Sequence, residues 1–71
     1  MRKQLQRAIE RHQHIHIIYL SGDGQTTQRT LRPLEIAGDR LKAYCLARRA
    51  PRVFVIDNIL AVQSVVERHA I

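Results

Sequence analysis

Between Arg40 and Leu46 the apolar residues Leu41, Ala43 and Cys45 alternate with Arg40, Lys42 and Tyr44. A period of two belongs to a half-buried strand, whose successive side chains point to opposite faces. One face is small and apolar, the other basic and aromatic. Such a strand needs partners on both edges, and the rest of the chain supplies candidates. Residues Ile15 to Leu20 are rich in β-branched and aromatic types, and Ser21-Gly22-Asp23-Gly24 follows as the strongest turn signal in the chain. From Thr26 to Leu31, Thr27, Arg29 and Leu31 alternate with Thr26, Gln28 and Thr30, and Pro33 then demands an edge position or a bend.

Downstream, Gly38-Asp39 marks a turn and Ala47-Arg48-Arg49-Ala50-Pro51 a charged connection. Arg52 to Ile56 reads as a fourth strand, Asp57 to Leu60 as one helical turn capped by Asp57, and Ala61 to Val66 as a fifth strand. Ahead of the strands, Leu5, Ala8, Ile9 and His12 sit at helical spacing, with Arg2, Lys3, Arg7 and Arg11 mostly on the other side. The expectation is a mainly β domain: a helix over about 2–12, then a five-stranded, strongly bent antiparallel barrel over about 14–67.

With 71 residues there is room for one domain, spanning 1–71, and a core of this size is marginal without a staple or partner. Cys45 is the only cysteine, so no intramolecular disulfide can form, and a reducing cytoplasm is the natural compartment. The start Met1-Arg2-Lys3-Gln4-Leu5-Gln6 lacks the apolar region of a signal peptide, and no apolar run is long enough for a membrane span. The net charge of +6 points to polyanionic partners, and ten of the twelve cations are arginine, whose planar fork grips phosphate and stacks on bases.

The ordered series Ile17-Ile18-Tyr19 with its Gly22-Asp23-Gly24 turn, Arg29-Thr30-Leu31-Arg32-Pro33-Leu34, Leu41-Lys42-Ala43-Tyr44-Cys45 and Arg52-Val53-Phe54-Val55-Ile56-Asp57-Asn58-Ile59 resembles the WYL-domain family. The resemblance runs from Ile15 through Val65. It implies an Sm-like or SH3-like barrel behind a short helix, serving as a ligand-sensing regulatory module rather than an enzyme. The tripeptide that names the family falls on Asp39-Arg40-Leu41, so its Trp and Tyr are absent and its Leu is kept. Where the family pattern has an Arg after the aspartate, this chain has Asn58, while Arg52 matches the family's basic position. Family members usually follow a helix-turn-helix domain, for which a chain beginning at Met1 has no room.

Arg29, Arg40, Lys42, Tyr44, Arg48, Arg49 and Arg52 form the candidate binding set, expected as one patch. Phosphates need cations and bases need a flat ring, and this set offers both. Alternation places Arg52 in phase with Phe54, so either that strand is bulged or Phe54 belongs to the same groove. The leading expectation is recognition of single-stranded nucleic acid or a nucleotide-like ligand. The alternative is a protein-interaction module that oligomerises or docks on a partner regulator, with strand edges or the Val62, Val65, Val66 and Ile71 segment pairing with another copy.

No enzyme, cofactor or metal is expected. The six acids are scattered singly, which leaves no pair of converging carboxylates. His12, His14 and His16 alternate, but no carboxylate or cysteine completes a zinc set. Cys45, in phase with Leu41 and Ala43, reads as a buried small hydrophobe.

Overall fold

The computed structural model describes residues 2–65. It consists of α1 (Arg2–Glu10), β1 (Ile15–Leu20), β2 (Thr26–Ala37), β3 (Arg40–Cys45), β4 (Ala50–Val55), a 3-10 turn (Ile56–Asn58) and β5 (Ile59–Ser64). All strand pairs are antiparallel and form one sheet in the order β4-β3-β2-β1-β5. Consecutive strands are therefore neighbours from β1 to β4, and β5 returns to pair with β1.

The inner face of this sheet buries Ile15, Ile17, Leu31, Leu41, Ala43, Cys45, Phe54 and Ile59, and α1 adds Leu5 and Ala8. Each fully buried aliphatic side chain contributes about 1.5–3 kcal/mol through loss of apolar surface from water. A nine-residue helix cannot persist alone, so α1 depends on this docking against β2 and β5. Arg2 also donates to the Gly38 carbonyl at 2.8 Å, fastening the helix start to the β2–β3 turn. In that two-residue turn Gly38 holds φ 61°, a left-handed conformation that glycine takes without steric cost.

Helix α1 stops at Glu10 rather than near residue 12. His12 turns left-handed at φ 52°, and the bonds from His12 N to Ile9 O and Gln13 N to Ala8 O close a Schellman cap. His12 is consequently exposed and adds nothing to the apolar face.

The largest departure from the expected strands is β2, which continues through Pro33 to Ala37. Pairing of β2 with β1 ends at Leu31, so at Pro33 the strand has a partner on the β3 side alone and the proline nitrogen faces the unpaired side, the edge position a proline tolerates. The β2–β3 register shifts between Pro33 and Glu35, so the residue falls at an irregularity that bends a central strand. Strand β4 begins at Ala50, ahead of the expected Arg52, and β5 begins at Ile59, ahead of Ala61. The helical turn moves to Ile56–Asn58 accordingly, and Asp57 is not its cap: Val55 occupies that position and makes no side-chain capping bond. Val66 and Ile71, expected in a pairing segment, lie outside the described residues, while Val62 packs against the core.

Bending brings strands together that the sheet order separates. Tyr19 of β1 and Phe54 of β4 meet edge to face, with ring centroids 5.1 Å apart, although β2 and β3 lie between their strands. The backbone N–H of Val55 donates to the Tyr19 hydroxyl at 3.1 Å, adding a polar tie across the same gap. Among the described residues, no helix is long and apolar enough to cross a membrane.

Candidate functional site

The expected single patch is divided between the two faces of the sheet. In an antiparallel pair, residues directly opposite share a face, so register assigns each side chain. Arg29 lies opposite buried Ile17, and Arg52 lies opposite buried Ala43. Both arginines therefore belong to the inner face. The β3–β4 register runs without a shift from Arg40↔Val55 to Cys45↔Ala50, so no bulge separates Arg52 from Phe54 and the two share that face.

Arg40, Lys42 and Tyr44 take the outer face, as the alternation of β3 requires, with exposed Arg32 and Pro51 opposite Tyr44. Two of the outer cations, Arg40 and Lys42, have acidic neighbours; Arg32 has none among the described residues. Arg40 Nε is 3.8 Å from Asp39 and Lys42 Nζ is 3.7 Å from Glu35. These exposed pairs contribute little to stability but lower the local positive potential. Among the described residues, no carboxylate lies within ion-pair reach of Arg29, Arg48, Arg49 or Arg52.

Around Arg29 the inner face carries polar groups without partners. Its guanidinium carbon stands 6.0 Å from the centroid of Phe54, at the outer limit of a cation–π contact. Arg29 Nε and Thr27 Oγ1 are both buried and make no hydrogen bond. A buried donor without a partner costs about 1–3 kcal/mol, so two of them on one strand, two residues apart, mark a place equipped for something polar. Tyr19 lies opposite Thr27 on the same face. This stretch of the inner face thus combines Tyr19, Thr27, Arg29, Arg52 and Phe54: two cations, two hydroxyls and two rings.

The turn between β3 and β4 extends this surface at one end. Arg49 is left-handed at φ 52°, a conformation that costs a non-glycine residue about 1–2 kcal/mol. The turn folds the N–H groups of Arg48 and Ala47 back toward the buried Cys45 thiol, which also adjoins Arg29. Burial pushes that thiol up, but the two N–H groups and the Arg29 guanidinium outweigh it and hold it below its ordinary value. Cys45 is a core residue, as its phase with Leu41 and Ala43 implies, and it also anchors the arginine turn beside Arg29.

Of the histidines, His16 is engaged through both ring nitrogens, with Thr30 Oγ1 at 3.1 Å and Gln28 Oε1 at 3.3 Å. Thr27, Tyr19 and the full role of Phe54 were not part of the expected set. The signal for them was the alternation itself, since Thr27 and Arg29 are in phase with Leu31.

The family model for the WYL domain matches residues 2–64. The chain belongs to the WYL-domain family. This WYL domain is also similar in structure to the proteasome accessory factor B/C (PafBC) of Arthrobacter aurescens, with a TM-score of 0.80 at 22% sequence identity. The similarity covers 87% of this chain and 10% of that one, so the WYL domain spans a small part of its neighbour's length, and the likeness establishes the fold. No curated protein matches the sequence.

Proposed function

We propose that this WYL domain is a ligand-sensing regulatory module that binds a nucleotide-like anion or a single-stranded nucleic acid on the inner face around Arg29, and that it binds without catalysing a reaction. The observation that carries this reading is the buried, unpartnered pair Arg29 Nε and Thr27 Oγ1 beside two aromatic rings and a second arginine. An anionic oxygen would satisfy the orphaned donors, and the half-buried Tyr19 ring lies beside them on the same face. Arg52, Arg48 and Arg49, which have no carboxylate neighbour among the described residues, supply further phosphate contacts. The sheet order and the Tyr19 bridge to β4 support a small barrel of the Sm-like or SH3-like kind, and a lone thiol suits a reducing cytoplasm.

The test is a binding screen of mononucleotides and short single strands at two salt concentrations. Arg52→Ala should weaken binding of all sequences and flatten the salt slope by about one unit per lost phosphate contact. Arg52→Lys keeps the charge but loses the fork, so a bidentate contact predicts a clear loss there too. Arg29→Met should abolish binding, while Lys42→Ala on the outer face should leave it nearly unchanged. Wild-type binding by both Arg29→Met and Arg52→Ala, with the fold intact, would remove the inner face as the site.

A further inference from the structure

The two edges of the sheet are not equivalent. Along an antiparallel strand, successive N–H groups point alternately toward and away from the partner. On β4, Ile56 N bonds back to Asp39 O in the β2–β3 turn, whereas Val55 N points the other way and is taken by the Tyr19 hydroxyl. The outward positions of β4 are therefore Val55, Val53 and residue 51. Val55 is already satisfied and residue 51 is proline, which has no N–H to offer. One outward donor, at Val53, remains, so β4 is blunted against pairing with another strand.

Strand β5 has no such protection. Val65 N bonds to His14 O, and the β1–β5 register is regular from Ala61 to Ser64, so Gln63 and Ala61 direct their N–H groups toward β1. Val62 and Ser64 direct theirs outward. No described strand lies on that side, and the segment Ile59–Ser64 contains neither a proline nor a charge. In a chain of net charge +6, an uncharged edge is where two copies approach with least repulsion.

We propose that this protein forms a two-fold symmetric dimer by antiparallel pairing of β5 with β5 of a second copy. Blunting of β4 disfavours the head-to-tail alternative, in which β4 of one copy pairs with β5 of the next and builds a ring or filament; the isologous contact closes at two. Around a two-fold axis near Val62, Ala61 of each copy lies across from Gln63 of the other, small against neutral polar, on the exposed outer face.

Sedimentation analysis from low to high micromolar concentration tests this. The wild type should pass from monomer to dimer over that range. The double variant Ala61→Lys, Gln63→Lys places like charges opposite each other and should raise the dissociation constant roughly tenfold or more. So should the matching pair of glutamates, and an equimolar mixture of the lysine and glutamate variants should recover a heterodimer. Ser64→Pro, which removes an outward N–H but no bond to β1, should weaken the dimer with an unchanged circular dichroism spectrum. A wild type that stays monomeric throughout, or a dimer that withstands all these substitutions, would overturn the proposal.

Discussion

Arg29→Met separates what Arg29 does for binding from what it does for stability. Removing the guanidinium relieves a buried, unpartnered Nε, worth about 1–3 kcal/mol. It forfeits the Phe54 contact, about 0.5–1 kcal/mol, and the bond to the Cys45 thiol, about 1 kcal/mol. Methionine keeps most of the apolar stem, so little cavity is opened. The terms nearly cancel, and the variant should lie within about 1 kcal/mol of wild type in either direction near neutral pH, a shift in Tm of at most about 4–8 °C for a domain of this size. The balance shifts with pH. Because the folded state holds the Cys45 thiol below its ordinary value, the stabilisation from that shift is fully present above the unfolded pKa of about 8.5 and is lost as pH falls through the folded value. Arg29→Met removes one of the pulls on the thiol, so wild type should gain on the variant as pH rises toward 9. Urea unfolding of both proteins across neutral to alkaline pH measures this. A loss of more than about 2 kcal/mol at pH 7 would make Arg29 a structural residue and refute the idea that its strain is held for a ligand.

Three further outcomes follow from other parts of the structure. Leu31→Ala, at a position with no exposed surface, should cost about 2–5 kcal/mol, enough to leave a chain this small largely unfolded by circular dichroism. Tyr19→Phe strips the acceptor from Val55 N and should cost about 1 kcal/mol in urea unfolding, with faster amide exchange at Val55 and little change elsewhere. Asp23 accepts from the Ser21 hydroxyl at 2.6 Å and from Gln25 N at 3.2 Å, which hold its carboxyl below the usual range. Asp23→Ala should therefore lower Tm at neutral pH, and the difference from wild type should shrink as pH falls through the folded pKa of Asp23.

Much of this molecule was legible from alternation. Leu41, Ala43 and Cys45 are buried and Arg40, Lys42 and Tyr44 face outward, as a period of two requires. The site was harder to read because charge and phase gave opposite advice at Arg29. Its phase with Leu31 put it inside, while its charge suggested the surface, and phase prevailed: Arg29 is half-buried on the inner face beside Phe54. Contacts such as Arg29 with Phe54 depend on how far the sheet bends, and periodicity carries no information about bending. Strand boundaries drifted where local signals conflicted with pairing. Pro33 reads as a breaker, yet β2 runs past it because its nitrogen faces the side where pairing with β1 has already ended. Asp57 has the chemistry of a cap, yet the 3-10 turn starts one residue earlier.

The strand order also bears on how the chain reaches this structure. Strands β1 to β4 form a meander in which each pairs with its successor across a turn of two to five residues, so these contacts form early and with little loop entropy lost. Strand β5 must instead find β1 across the whole length of that meander. Among the described strands the β1–β5 pairing is the one long loop closure, and it completes the sheet on which α1 rests. Substitutions at Ile59 or Val62 should therefore mainly quicken unfolding, whereas those in the β1–β2 turn should mainly slow refolding. A chevron analysis that placed the β5 contacts in the early nucleus would reverse that order of events.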